Sequence, residues 1–436
     1  ALAALAAAVG WHVGSGLVVT IGPQLGGGRL VQIDGMSVLL LPFVAVLQLA
    51  IIATAPQRDF STKAAARLLF GGALTSMFFV TAHPLAILVL WGATVWPTWS
   101  ALRETPEGRP TARVFGGAML AAFASLAIGV LLLLRDPPWV PGSGVTGDIG
   151  GWLVALSVVI RKGIFPFHSW YPLLFANGPM SSALMATMPQ VASYTAIRLL
   201  VGHADGVASE LVVLSQLALI TTAYGAALAM VQRSLRGLIG MLAMSQSAMV
   251  LAGLAGTLPM GLNGALCMWV SSGLSLTGIG LVTWSMVSRH GPISIATPQG
   301  LFRDAPELAG WFLMFGLAGL GFPGTLSFVA DDLIVSGSLD DQLHGGLLVI
   351  AAHVFSGIAL IRAWFHVFGG PDRMPGRGHP VLPRERMTMT PLVCLLLLLG
   401  LYPAPLVAAL ERTAASLLGR AARSAPTVLH EQHEAP

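Results

Sequence analysis

The chain has 436 residues, 55% of them hydrophobic and 10% charged, with a mean hydropathy of +0.77 and a formal net charge of +4. A soluble domain carries about 25% charged residues, so a water-facing surface of the usual kind is excluded. The arginine-rich patches sit between apolar runs, which gives nucleic-acid binding no support, and the two cysteines, Cys267 and Cys394, both inside apolar runs, exclude a disulfide scaffold or a cysteine-based metal cluster.

A helix needs about 20 apolar residues to cross the hydrocarbon core. In chain order such runs fall at about 2–21, 37–55, 66–82, 84–101, 112–134, 149–165, 180–202, 209–231, 236–256, 260–288, 306–335, 344–368 and 388–415. They predict an all-α, polytopic membrane bundle of about 12–13 transmembrane helices. Nothing has the alternating pattern of an outer-membrane barrel. The first run shows neither a basic leader nor a small-residue cleavage site, so it reads as a span rather than a signal peptide. Residues 1–415 read as one integral membrane domain and residues 416–436, with Arg420, Arg423, His430, Glu431 and Glu434, as a polar tail. Basic clusters at 103–113, 233–236 and 373–386, with Arg58 and Lys63, face the cytoplasm by the positive-inside rule. The expected location is the inner (cytoplasmic) membrane of a cell, crossed many times.

Ionisable groups inside a span are costly and face a protein interior or a watery path. Lys162 follows an apolar run and precedes GIFPFHSWYP at 163–172. Desolvation makes the neutral amine accessible, so a lysine at this depth can load and release a proton; the alternative is an interface anchor that snorkels to the headgroups, and Arg161 beside it suits a helix end. His168 titrates near neutrality when unperturbed, although a hydrogen-bonded interfacial histidine is the plainer reading. Two places predict interrupted helices: Gly178-Pro179 with Pro189, and Gly321-Phe322-Pro323-Gly324-Thr325. Proline removes a backbone donor, freed groups are tolerated in lipid only inside protein or beside water, and paired breaks in two halves of a chain point to an ion or substrate site. Asp331 and Asp332 follow the second break; adjacent acids cannot share a helix face, so one points into the bundle and the other away. His353 stands alone in an apolar run, suited either to the core or to a relay. No nucleotide loop, HExxH pair or redox-cofactor motif occurs, so no cofactor, metal or catalytic site is expected in this chain.

KGIFPFHSWYP at 162–172, followed by Pro179-Met180-Ser181-Ser182-Ala183, resembles the K-x-x-x-F-P-x-H-x-W-L-P…P-x-S signature of antiporter-like membrane subunits. These are the proton-translocating subunits of respiratory complex I, Mrp antiporters and membrane-bound hydrogenases. Asp34-Gly35-Met36-Ser37, Ser245-Gln246-Ser247-Ala248-Met249, Gly273-Leu274-Ser275, LGFPGTLSFVAD at 320–331 and the run 363–371 are similar to further family segments in the same order. The resemblance implies two inverted five-helix repeats, about 66–202 and 209–368, each with one discontinuous helix. It also implies a mid-membrane row of charged groups, in which Lys162 matches the first-half lysine and Asp331 the terminal acid. Ser245, Gln246 and His353 fall along that row. Three positions depart: Gly92 stands for the expected glutamate, Gln190 for a lysine, and Ser272 for a histidine or lysine.

The resemblance implies a proton- or cation-translocating subunit of a larger energy-converting complex of the complex I or Mrp type, with redox chemistry in partner subunits, as in an NADH-quinone oxidoreductase. The depleted charged row also suits the membrane subunit of a DAB-type inorganic carbon transporter, whose partner would be a zinc-bearing carbonic-anhydrase-like enzyme. A third reading is a scaffold subunit that does not conduct. Protons or monovalent cations, lipid and other subunits are the expected partners.

Overall fold

The computed structural model describes residues 19–25, 28–57, 61–136, 145–201, 209–255, 259–338, 343–371 and 381–424. Most of the expected first span, the basic positions 58 and 372–380, and tail residues 425–436 lie outside them. The described end of that first span is not helical. Val19–Leu25 (β1) pairs antiparallel with Gly28–Ile33 (β2), as suits a β-branched run flanked by glycines.

Helices follow: α1 (Gly35–Thr54), α2 (Thr62–Phe79), α3 (Pro84–Ala93), α4 (Trp96–Glu104), α5 (Gly108–Arg135) and α6 (Val145–Lys162). Next come α7 (Trp170–Asn177), α8 (Met180–Thr187), α9 (Val191–Leu200), α10 (Ser209–Met230), α11 (Leu235–Ala252) and α12 (Pro259–His290). The last are α13 (Pro306–Gly319), α14 (Leu326–Ser338), α15 (Leu343–Phe368), α16 (Pro383–Leu401) and α17 (Ala404–Ser424). Among the described residues seven segments are long and apolar enough to cross a membrane alone: α1, α3 with α4, α5, α10, α11, α12 and α15. An eighth is α16 with α17, bent by 75°.

The other expected spans from 66 onward are helical as well but fall short of that length and apolarity on their own, for physical reasons. Helices α2 and α6 carry charge within their 18 residues (Lys63 and Arg67; Asp148, Arg161 and Lys162). The expected spans at 180–202 and 306–335 are each two shorter helices, α8 with α9 and α13 with α14. The expected single span at 388–415 breaks at Tyr402-Pro403, where the proline ends α16. Helix α17 runs through to Ser424 and so continues past residue 416.

Burial separates the helices with an exposed apolar face from those of the interior. On α15, Leu347, Ile350, Val354, Ile358, Ile361 and Phe365 are all exposed, a stripe at helical spacing that only hydrocarbon or another apolar surface can cover. Helix α12 is the opposite. Every residue from 261 to 286 is buried, and α1, α11, α13, α14 and α17 pack around it. Its composition suits that place, because small and hydroxyl residues let helices approach closely in membranes. A Cβ on Gly264 would stand 2.8 Å from the Ile334 backbone nitrogen of α14, and one on Gly278 would stand 2.2 Å from the Phe315 ring of α13.

The two breaks face α12. At the first, Pro189 separates α8 from α9, and Gln190 takes a left-handed φ of 56°, uncommon for a residue with a side chain. The freed Pro189 carbonyl accepts from Trp269 Nε1 of α12 at 3.0 Å. At the second, Gly321 and Gly324 take φ of 70° and 90° around Pro323, conformations open to glycine at no steric cost. Pro179 marks the α7–α8 junction instead, at the N-terminus of α8.

Candidate functional site

Lys162 is the last residue of α6 and is buried, 3% exposed. Its Nζ donates to Gln190 Oε1 and, at 2.7 Å, to Ser193 Oγ. Both partners come from the first break and the helix after it, so the left-handed turn at Gln190 aims the amide at the amine. Among the described residues no carboxylate lies within 4 Å of Lys162. At Gly92, where the resemblance expects glutamate, the Phe123 ring stands 3.0 Å from the place a Cβ would occupy. Arg161 donates to the Trp91 carbonyl at 2.7 Å and to Thr94 Oγ1 at 2.6 Å, with its guanidinium 4.3 Å from the Trp91 ring centroid. That cation neutralises the negative end of α3.

From Gln190 the polar contacts cross onto α12. Gln190 Nε2 donates to Ser272 Oγ at 3.2 Å, and Ser275 Oγ donates to the Ser272 carbonyl at 3.3 Å. One residue away, Ser271 and Ser327 share a hydrogen bond of 2.5 Å between α12 and the start of α14. Ser327 is four residues before Asp331, on the same helix face.

Two small cavities continue from Ser275. The first, about 10 Å³, is lined by Ser275, Gln246, Phe315 and Leu360; the second, about 20 Å³, by Gln246, Ser245, Thr222, Asp331, His353 and Ser356. The second exceeds, and the first approaches, the roughly 10–15 Å³ needed to hold a water. Gln246 Oε1 and Asp331 Oδ1 are buried acceptors without a donor among the described residues, and both residues line the second cavity, so one water there can donate to both. Gly319 makes room for Gln246, since a Cβ would stand 2.7 Å from its amide nitrogen. Ser245 donates to the Thr222 carbonyl at 2.7 Å, fixing α11 to α10.

The far end is a histidine–carboxylate pair. Asp331 Oδ2 lies 2.9 Å from His353 Nε2, and His353 Nδ1 lies 2.8 Å from the Val349 carbonyl. When the pair is ionised both ring nitrogens donate; when the proton sits on Asp331, Nε2 accepts it and Nδ1 still donates. The geometry serves both forms. Gly321 clears space for the carboxylate, because a Cβ there would stand 2.4 Å from Asp331 Oδ2.

The other sequence-derived positions lie elsewhere. Asp332 is exposed on the far side of α14. His168 bonds Tyr224 at 3.3 Å and stacks on Phe165, with no hydrogen bond to the row. Residues to which the sequence reading gave no role include Ser193, Ser271 and Ser327, serine being too common in membrane helices to stand out, while Ser275 was named only as part of the Gly273-Leu274-Ser275 segment. A second buried pair was missed as well. Arg198 of α9 grips Asp34 at 2.6 and 2.9 Å, and Asp34 also caps α1 through the Ser37 amide. Its signal was the acid of the Asp34-Gly35-Met36-Ser37 segment, but its partner is 164 residues away. Among the described residues no group of His, Cys, Asp and Glu is arranged to hold a metal.

Comparison with known proteins agrees with this architecture. Residues 142–358 match the family described as NADH:quinone oxidoreductase/Mrp antiporter, transmembrane. The NADH-quinone oxidoreductase subunit M of Mycobacterium tuberculosis is 27% identical over 252 residues, which is 57% of this chain and 46% of that protein. The chain spans about half the length of the curated relatives it matches. Among solved structures, a chain of the Mrp complex of a Dietzia species superposes with a TM-score of 0.84 at 18% identity, over 97% of this chain and 91% of that one. A chain of respiratory complex I from Thermus thermophilus gives 0.84 at 22% identity, over 96% and 94%. At these identities the superpositions speak for the fold.

Proposed function

The chain belongs to the antiporter-like membrane-subunit family of NADH:quinone oxidoreductases and Mrp antiporters, and from that premise we propose that it carries protons through the membrane as one subunit of a multisubunit complex. The path runs from Lys162 along the hydroxyl groups of α12 to the Asp331–His353 pair. The observation that carries this reading is the contact set of Lys162: a buried amine held by two neutral groups. Ser193 can accept from the ammonium and donate to the free amine, so it stays bonded to Lys162 in both protonation states. Hydroxyls and water then relay the proton by turning, while the Gln190 amide, which cannot carry charge, holds Lys162 and Ser272 in line.

At the other end the Asp331–His353 pair takes up and releases a proton by exchanging its two hydrogen-bonded forms. This chain has no redox motif, so the driving reaction belongs to partner subunits, as in the complexes whose membrane chains it resembles. The two breaks, one in each half, support the inverted-repeat organisation, with the repeats at about 66–202 and 209–368 and the path at their junction. Energy-converting complexes of this kind sit in the inner membrane.

A second reading, the membrane subunit of a proton-coupled inorganic carbon transporter with a zinc-enzyme partner, is favoured by one observation. Glycine stands at 92, where the mainstream charged row has its glutamate, and among the described residues no carboxylate lies within 4 Å of Lys162, so the mainstream ion pair is missing. Copurification separates the two: iron–sulfur or quinone-site subunits support the first, a large soluble zinc protein the second.

The test is proton flux in liposomes holding the assembled complex. Lys162→Met and Asp331→Asn each abolish flux while the complex still copurifies; full flux in both variants leaves the chain a scaffold and refutes the proposal.

A further inference from the structure

A large cavity of the described structure lies away from this row. It is an open groove of about 1030 Å³ between α4 and α5. Its walls are apolar and aromatic, with Trp96 and Trp99 on one side and Met119, Leu120 and Phe123 on the other. Glycines open its floor: a Cβ on Gly116 would stand 2.9 Å from Trp99 Nε1, and one on Gly117 would meet nothing within 4 Å. Trp96 is 53% and Leu120 69% exposed, so the walls are free to take an apolar occupant.

One end of the groove is basic. Arg103, Arg109 and Arg113 line it; Arg103 rests on Trp99 at 4.6 Å, and Arg109 and Arg113 sit one turn apart on α5, where they share a face. Among the described residues none of the three forms an ion pair. The nearby acid Glu104 is taken by Arg67 at 2.6 Å, and Glu107 pairs with none of them. Arg109 and Arg113 fall in the first six residues of the 28-residue α5, and Arg103 in the last turn of α4 just before it. The remaining 22 residues rise about 33 Å, close to one hydrocarbon thickness, so the guanidinium groups lie at headgroup depth. Tryptophans at that depth are the usual interfacial belt.

We propose that this groove is a binding site for an anionic phospholipid, its phosphate held by Arg103, Arg109 and Arg113 and one acyl chain laid along Trp96, Leu120 and Phe123. Guanidinium groups bind phosphate oxygens through paired hydrogen bonds, and a cluster of basic side chains at the membrane surface selects anionic over zwitterionic lipid. The charge selects the headgroup, and the apolar walls distinguish a lipid from free phosphate. The inner end of the groove is Gly92, next to the Trp91 carbonyl that Arg161 holds, so the acyl chain ends one residue from the helix cap beside Lys162.

The test is native mass spectrometry of the intact complex, delipidated in detergent and titrated with phosphatidylglycerol or phosphatidylcholine. The wild type retains phosphatidylglycerol about tenfold better than phosphatidylcholine. The triple variant Arg103→Gln/Arg109→Gln/Arg113→Gln loses that preference. Gly117→Trp, which adds bulk where nothing stands, weakens phosphatidylglycerol retention with the arginines intact. Three results overturn the proposal: equal retention of both lipids by the wild type, a preference that survives the triple variant, or a partner polypeptide lying in the groove of the assembled complex.

Discussion

Replacing Gln190 by glutamate alters one side-chain group and, with it, the electrostatics of the whole row. Gln190 Oε1 already accepts from the Lys162 ammonium, so a carboxylate takes the same position with a full charge. At a separation of about 3 Å and an effective dielectric of about 20, the added attraction is about 5.5 kcal/mol. Desolvating the new carboxylate takes back several kcal/mol. The lost donation from Gln190 Nε2 to Ser272 at 3.2 Å is made good when the Ser272 hydroxyl turns and donates instead. A net of about 2–3 kcal/mol then holds the proton on Lys162, and at 1.36 kcal/mol per factor of ten its release slows by about 30- to 150-fold. The assay is dye-reported proton flux under an imposed membrane potential, in liposomes holding the intact complex, with copurification of partners as the control for assembly. Gln190→Leu, which removes an acceptor without adding charge and leaves Ser193 at 2.7 Å, falls less. Wild-type flux from a fully assembled Gln190→Glu complex would mean that Lys162 keeps its proton throughout turnover, and the reasoning would fail.

Gly92→Glu sets a Cβ 3.0 Å from the Phe123 ring at the wall of the open groove that both residues line; the ring gives by a few tenths of an ångström, so the melting temperature of the purified complex falls by less than buried overpacking of about 1–3 kcal/mol would cause, and adding Phe123→Ala recovers it. Asp34→Asn leaves the Arg198 guanidinium buried without its carboxylate, at a cost of about 3–5 kcal/mol, so the variant accumulates poorly and melts earlier, whereas Glu104→Gln, at a half-exposed pair, changes the melting temperature little. Gly319→Val pushes the Gln246 amide aside and breaks the link between the two small cavities; flux falls about tenfold, the worth of roughly one hydrogen bond, with assembly retained.

The membrane character and the breaks were legible because both are local. A run of apolar residues needs no partner to be recognised, and a proline in such a run marks a candidate break, realised at Pro189 and Pro323 though not at Pro42 or Pro391, which stay inside helices. The ends of the proposed path were legible for the same reason: Lys162, Asp331 and His353 are costly in lipid on their own account. What joins them was not. Ser193, Ser271 and Ser327 carry no signal until tertiary packing sets each against a partner, and the Asp34–Arg198 pair closes only when α1 meets α9. The turn at Tyr402-Pro403 was read through because apolar residues flank it on both sides, and hydropathy records composition rather than direction. Strand β1 was taken as the end of a span for the converse reason, since Val19, Thr20 and Ile21 are apolar enough for a helix yet β-branched enough for a strand.

The claim beneath all of this is that the interior between Lys162 and Asp331 is wet. A cryo-EM map of the assembled complex at a resolution that shows ordered water tests it most directly. The account predicts density for a water between Gln246 Oε1 and Asp331 Oδ1, and another near Ser275, with Lys162 Nζ on Gln190 and Ser193. Dry apolar packing at both places, or a Lys162 side chain turned out to the headgroups, would contradict it.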